Sequence, residues 1–302
     1  MNIRILGSGS ATPFLGRYQS SILVEHHHQL YLLDCGEGMQ MQMLRYEVKF
    51  SKLNHIFISH LHGDHYLGLI GLLSSLHSWG RTNDLYLFGP PGLKEILTIQ
   101  FKYQETSLNY KIVFHAIEKD KKYTIVDNKD ITISTIPLKH RLQTSGFLFN
   151  EKRGLQNIIK SALPENVLLQ HIHLLKSGED VLNEDGSILY RNVDYTLPIE
   201  KVHTFAYCTD TIFDEELIEI VKDADLLYHE ATFLEEKAER AKLTFHSTAR
   251  QAATIALKAN VKQLVIGHYS ARYKDISPFL KEAQEVFQNT YLSEEGKVFS
   301  LN

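Results

Sequence analysis

Short apolar runs, broken by glycine-rich turns, dominate the first half of the chain. Asn2–Gly7 reads as a strand and Gly7-Ser8-Gly9-Ser10-Ala11-Thr12-Pro13 as a loop. Ser21–Glu25 and Gln29–Asp34 read as a hairpin around His26-His27-His28, a turn expected to be solvated. Gly38–Val48 places Met39, Met43 and Tyr46 on one helical face. His55–Ser59 is a buried-type strand that runs straight into His60-Leu61-His62-Gly63-Asp64-His65. Tyr66–Leu76 follows as a helix, Leu85–Phe88 as a strand, and Gly89-Pro90-Pro91-Gly92 opens a further helix. Lys111–Ile117 and Ile131–Pro137 are strands.

Between about Asn150 and Tyr195 the alternation is lost, and this stretch reads as an insertion leaving the core. Strand and helix then alternate: His203–Tyr207, Phe213–Lys222, Leu226–His229, Ser247–Ala259, Gln263–Gly267 and Pro278–Gln288. The pattern predicts an α/β chain made of two βα halves packed together.

Composition narrows the class. A chain of 302 residues with 43% hydrophobic and 23% charged residues is not disordered, collagenous or coiled-coil. A formal net charge of −4 gives no sign of a polyanion partner, so a nucleic-acid site would need a local basic patch. Cys35 and Cys208 are the only cysteines, which excludes a disulfide framework and fits a reducing compartment such as the cytoplasm. The start of the chain does not read as a secretory leader, and its most apolar stretch is too short to span a membrane. The 16 histidines are the anomaly, and they point to metal.

His60-x-His62-x-Asp64-His65 is the strongest signal. In an extended loop after a strand, positions 60 and 62 project the same way and can converge on one ion. Asp64 and His65 can reach a second ion. Imidazole and carboxylate are ligands that zinc accepts, and manganese suits the same set. His140, Asp210 and His268 each follow a strand, where α/β sheets carry their chemistry. With the first motif they supply seven ligands, enough for a dinuclear site in which Asp210 is the natural bridge.

This order of motifs resembles the metallo-β-lactamase superfamily. Within it, Asp34-Cys35-Gly36-Glu37-Gly38, Pro137-Leu138-Lys139-His140-Arg141, Tyr207-Cys208-Thr209-Asp210-Thr211, His229-Glu230-Ala231-Thr232-Phe233, Phe245-His246-Ser247-Thr248-Ala249 and Gly267-His268-Tyr269-Ser270-Ala271-Arg272-Tyr273 are similar to the short form of the ribonuclease Z family, the tRNA 3′-processing endonucleases. The resemblance implies an αβ/βα sandwich with metals at one edge. It implies two zinc ions per subunit, one on His60, His62 and His140, the other on Asp64, His65 and His268, with Asp210 bridging. Asp64 would also orient or deprotonate the attacking water. The activity implied is removal of the 3′ trailer from precursor tRNA, leaving a 3′-hydroxyl on the tRNA and a 5′-phosphate on the trailer.

Other residues take roles beside that set. His246 precedes the helix Ser247–Ala259, for which Ser247 is the expected N-cap. A helix N-terminus disfavours imidazolium, so a proton-donating histidine there needs a carboxylate, and Glu230 is the candidate. His246 is thus the expected general acid for the leaving 3′-oxygen. Ser270 and Arg272 can bond phosphate. Asp34 is expected to brace the His60–His65 loop, and Cys208 to be a buried apolar residue. The insertion matches in position the flexible arm with which the family clamps tRNA. The family is a homodimer, and one subunit's arm grips the tRNA cut by the other. Lys152, Arg153, Lys160, Lys176 and Arg191 are its basic residues, beside seven acidic ones. In Pro13-Phe14-Leu15-Gly16-Arg17-Tyr18, Leu15 and Tyr18 stand where many relatives carry Lys and Asn, while Arg17 remains as a substrate contact. Phe14 or Tyr18 can stack on a base. The alternatives are another zinc hydrolase of the superfamily, a non-enzymatic RNA-binding relative and a di-iron redox protein.

Overall fold

The computed structural model describes residues 1–14, 16–198 and 201–301. Its strands are β1 (Asn2–Gly7), β2 (Ser21–His26), β3 (Gln29–Leu33), β4 (Leu53–Phe57), β5 (Leu85–Gly89), β6 (Ile112–Ala116), β7 (Thr124–Asp127) and β8 (Ile131–Leu138). They continue with β9 (Thr144–Glu151), β10 (Val181–Leu182), β11 (Ile188–Tyr190), β12 (Thr204–Cys208), β13 (Leu226–Glu230), β14 (Leu264–Gly267), β15 (Thr290–Leu292) and β16 (Val298–Ser300). One seven-stranded sheet has the order β16-β1-β2-β3-β4-β5-β6 and the other β15-β14-β13-β12-β9-β8-β7. From β3 to β6 the first sheet is parallel, and from β12 to β15 so is the second.

The sheets face each other through aromatic side chains. Phe57 lies 5.2 Å from Phe147, and Tyr31 lies 5.8 Å from Phe149, by ring centroids. Helices cover the outer faces. The helices are α1 (Met39–Arg45), α2 (Gly63–Tyr66), α3 (Leu69–Ser78), α4 (Gly92–Tyr103), α5 (Leu169–Ser177), α6 (Asn192–Tyr195), α7 (Leu217–Ile220), α8 (Ala238–Thr244), α9 (Ala249–Lys258) and α10 (Ser277–Gln284). In α3, Leu69, Leu72, Leu73 and Leu76 recur at helical spacing and pack with Leu32, Ile56 and Leu87 of the first sheet. In α9, Ala249, Ala252, Ala253 and Ala256 do the same against Leu227, Leu264 and Ile266 of the second. The layering is that of the metallo-β-lactamase αβ/βα sandwich.

The chain divides into two compact units. The sandwich unit holds Met1–Ile125, Ile133–Phe149 and the chain from His203 on; the other holds Val126–Thr132 and Asn150–Val202. Within the second unit, α5 and α6 accompany the β10–β11 hairpin, around buried Leu175 and Val181. The Asn192 amide donates to the Leu175 carbonyl there.

Several elements depart from the sequence pattern. The predicted Tyr66–Leu76 helix is split into α2 and α3, because Gly68 lies against the chain at Gly36. Its N–H donates to the Cys35 carbonyl at 2.9 Å, and a Cβ there would come within 2.3 Å of the Gly36 oxygen. The helix expected over Phe213–Lys222 contracts to α7, since Asp214 accepts the Glu216 N–H and binds Lys139 in a turn before it. His26 is buried at the end of β2, so only His27 and His28 form the exposed turn. Strands β7, β9, β15 and β16 are short or irregularly patterned and carry no clear signal. No helix of the described residues is long and apolar enough to cross a membrane. Cys35 and Cys208 are buried free thiols.

Gly146 in β9 faces the β12 backbone so closely that a Cβ would meet the Tyr207 oxygen at 2.3 Å. Gly146→Ala is therefore expected to remove about 1–3 kcal/mol of stability. Gly154→Ala meets nothing within 4 Å and should leave it unchanged. Thermal melts of the two variants beside the parent check the difference.

Candidate active site

Asp34 follows β3 in the left-handed region, with φ 56, a conformation that short polar side chains tolerate best. It is fully buried. Its Oδ1 accepts the Ser59 N–H at 2.8 Å. Its Oδ2 accepts the Ser59 hydroxyl at 2.9 Å, the Tyr207 hydroxyl at 2.7 Å and His65 Nδ1 at 2.8 Å. The brace expected at Asp34 thus grips both ends of the His60–His65 segment and also β12.

Hydrogen-bond accounting then sets the ring tautomers. The single Ser59 hydroxyl proton goes to the charged Asp34 carboxylate, the stronger acceptor. His60 Nδ1, 3.0 Å from the same oxygen, is left to donate. The Thr232 hydroxyl proton goes to Glu230 Oε2 at 2.7 Å, so His268 Nδ1, 2.8 Å away, donates to it. His140 Nδ1 donates to the Phe245 carbonyl at 2.8 Å. In His60, His65, His140 and His268 the Nε2 lone pair is therefore free to face inward.

These lone pairs converge in two groups, and each group could hold a metal ion. His60, His62, His140 and Asp210 form one; Asp64, His65 and His268 form another, with their donor atoms within 4.8 Å of one another. His62 Nδ1 lies 2.9 Å from His60 Nε2 and 3.3 Å from His140 Nε2. Asp210 Oδ2 lies 3.5 Å from His60 Nε2, whereas its Oδ1 lies 3.2 Å from His268 Nε2 and 3.4 Å from His65 Nε2. Each oxygen of Asp210 thus belongs to a different group. His65 Nε2 and His268 Nε2 face each other at 3.4 Å, with Asp64 Oδ2 3.3 Å from both. Buried lone pairs and carboxylate oxygens packed this closely need a cation between them, and the donor set fits a divalent metal.

The electrostatics agree. Burial opposes charge on His65, but Asp64, Asp210 and Asp34 outweigh it and hold its pKa well above the ordinary value, so Nε2 takes up a proton unless a metal ion stands in its place. Burial raises the Asp210 pKa, but His268, His65 and His60 bring it well below the usual carboxylate range. His60 is held neutral by burial and by its histidine neighbours. Asp34, Asp64, Asp210 and Glu230 are all buried, and no lysine or arginine among the described residues pairs with them.

Glu230 repeats the Asp34 arrangement at the end of β13. It accepts Thr211 N–H at 2.9 Å, Thr232 N–H at 3.0 Å, the Thr232 hydroxyl and His246 Nδ1 at 2.8 Å. Burial lowers the His246 pKa, but the Glu230 carboxylate more than reverses this and brings it to about 9. His246 does not open a helix capped by Ser247. Thr248 is the N-cap of α9, in a capping box with Gln251, while the Ser247 hydroxyl donates to the Thr211 carbonyl. His246 instead follows the C-terminus of α8, and its N–H donates to the Ala241 carbonyl at 2.8 Å. It also lies near enough to Asp210 and His268 to form a third candidate metal group with them.

The cleft over this centre is lined by Asp64, His246, Ser270 and Arg272. Arg272 Nη1 donates to the Ser270 hydroxyl at 3.2 Å. Arg141 and Arg240 also line it. Sequence reasoning missed both, although Arg141 adjoins His140. Arg17 donates to the Tyr273 carbonyl at 2.5 Å and stacks on Phe14 at 4.3 Å, so both are engaged within the fold. Tyr18 packs against Gly38. Leu15 lies outside the described residues. Lys176 belongs to α5 of the other unit, where its carbonyl accepts Gln156 N–H.

Residues 1–157 match the family model described as anti-Pycsar protein Apyc1, and residues 179–269 match the β-lactamase superfamily domain. The ribonuclease Z of Bacteroides fragilis (strain YCH46) is 45% identical over 300 residues, covering 99% of this chain and 98% of that protein. That of Cytophaga hutchinsonii is 47% identical over 298 residues, covering 99% and 95%. The chain belongs to the ribonuclease Z family. It is therefore an endoribonuclease by family, a phosphodiester hydrolase. The fold is shared with the short form of human tRNase Z, at 24% identity and a TM-score of 0.73 with both chains fully covered. It is also shared with the metallo-β-lactamase fold protein YhfI from Bacillus subtilis, at 20% identity and a TM-score of 0.69, covering 99% of this chain and 98% of that one.

Asp34→Asn replaces an acceptor oxygen by a donor among groups that are themselves donors. In this ribonuclease Z family member it should weaken metal affinity about 10- to 100-fold. Metal content after equilibration in a metal-buffered solution measures this; an unchanged content would remove the bracing role.

Proposed function

We propose that the protein removes the 3′ trailer from tRNA precursors, using two zinc ions per subunit, with manganese able to occupy the same ligands. The observation that carries the proposal is the pair of candidate ligand groups, with an oxygen of Asp210 facing each, beside His246, which lines the same cleft and is anchored by Glu230. Glu230 is balanced by His246, and metal charge would balance the buried carboxylates Asp34, Asp64 and Asp210. In this reading His60, His62 and His140 hold one ion, Asp64, His65 and His268 the other, and Asp210 both.

Bound divalent metal would supply Lewis-acid charge at the phosphoryl oxygens and lower the pKa of water at the site. Asp64 aligns the attacking water and accepts its proton. Arg272, steadied by Ser270, binds a non-bridging phosphate oxygen. As water attacks phosphorus, the bond to the 3′-oxygen breaks and its electron pair stays on that oxygen. His246, anchored through Nδ1 to Glu230, carries the proton for this oxygen on Nε2. The tRNA leaves with a 3′-hydroxyl and the trailer with a 5′-phosphate. Lys176 and its basic neighbours in the second unit contact RNA in a homodimer, and the two free thiols fit the reducing cytoplasm.

A labelled tRNA precursor with a 3′ trailer tests the reading. It should be cut once, near the discriminator base, and not at all after chelation; an intact precursor alongside hydrolysis of a small phosphodiester would move the activity elsewhere in the superfamily. His246→Ala should lower kcat about 10²- to 10⁴-fold with full metal content. Loss of metal would make His246 a ligand instead.

The pH dependence has a definite sign. His246 must be protonated to donate, so activity is present below its pKa and falls as pH rises through it. That pKa is about 9 with Glu230 charged, and nearby metal charge lowers it. Glu230→Gln should move the alkaline limb of the kcat profile to lower pH, and a limb that stays in place would separate Glu230 from proton transfer.

A further inference from the structure

Helix α8 ends in a Schellman motif closed by the Phe245 N–H on the Lys242 carbonyl and the His246 N–H on the Ala241 carbonyl. The left-handed position in such a motif is usually glycine, because a Cβ crowds the backbone there. Here it is Phe245, with φ 59 and ψ 48. The other described non-glycine residues with positive φ are all aspartate, asparagine, glutamate or histidine. Phe245 is the exception.

Neither packing nor metal binding explains the ring. It is 40% exposed, so it fills no core. The Phe245 carbonyl orients His140, but glycine would offer the same carbonyl. The ring stands edge-on to the His140 imidazole, 6.5 Å between centroids, on the wall of the cleft. Exposed Leu243 and Leu67 continue this apolar wall. A strained aromatic held open beside the reacting centre is a surface for a flat, apolar face.

We propose that Phe245 is a stacking platform for the unpaired base of a nucleotide flanking the scissile phosphate. The proposal rests on the endoribonuclease reading above. A base within a duplex has both faces covered, whereas an unpaired base at the cut offers one to an aromatic ring. The platform would help seat the phosphodiester at the ligand pair by holding the nucleotide next to it, without reading the base's identity.

A side-chain-by-base cycle tests it. Phe245→Gly relaxes the left-handed turn, so its melting temperature should equal or exceed the parent's. It should lower kcat/KM for the precursor about tenfold, chiefly through KM, while Phe245→Trp restores it. Precursors carrying an abasic residue at either nucleotide flanking the cut complete the cycle. The parent should lose about as much on one of them, and Phe245→Gly should lose nothing further on that substrate. Penalties that multiply at both positions overturn the platform, as does an effect of Phe245→Gly explained by lost metal. A parent enzyme that cuts no precursor overturns the endoribonuclease reading, and the platform with it.

Discussion

A buried carboxylate must be surrounded by donors, and this requirement at Asp34 organises the centre. Four donors reach it: two from Ser59, one from His65 and one from Tyr207. The first three belong to the segment after β4 in one sheet, and Tyr207 lies on β12 in the other. The same group therefore fixes the loop, selects the His65 tautomer and ties together the sheet ends from which the candidate ligands project. Glu230 does this on the other side, joining the end of β13 to the chain after β12 and to His246. The imidazoles between these anchors have little freedom to rotate, so most of the ordering needed to receive an ion is built into the fold.

The arrangement also explains why serine and threonine stand beside the ligands. A hydroxyl carries one proton and can accept others. When a carboxylate takes that proton, the hydroxyl becomes an acceptor for the next ring. Ser59 passes this polarity from Asp34 to His60, and Thr232 from Glu230 to His268. Alanine for Ser59 or valine for Thr232 would roughly keep the shape and lose the direction of the chain of bonds.

Much of this was legible in the sequence, for identifiable reasons. The His60–His65 spacing is dense enough to announce itself. His140, Asp210 and His268 are visible only because each follows a recognisable strand. Their convergence depends on sheet order, which periodicity does not encode. That the two oxygens of Asp210 face different groups also required coordinates. The hydroxyl relays, the engagement of Arg17 by the Tyr273 carbonyl and the cleft positions of Arg141 and Arg240 arise from contacts distant along the chain. The Ser247 cap failed because Thr248 has the partner three residues on that a capping box needs. The Tyr66–Leu76 helix failed because apolar periodicity does not register a backbone crossing at Gly68.

The split origin of the site residues has a consequence for how the protein is made. His60, His62, Asp64, His65 and His140 come from the first half of the chain, but Asp210, Glu230, His246 and His268 come from the second. β1 also pairs with β16, a strand nearly three hundred residues further along the chain. Both groups share Asp210, so neither is complete in a nascent chain that stops before it, and His268 is later still. Contacts this distant along the chain make closure a late event in folding. The two groups therefore cannot close before the chain has been made past His268, and a product truncated earlier would carry the conspicuous histidine motif without its partners.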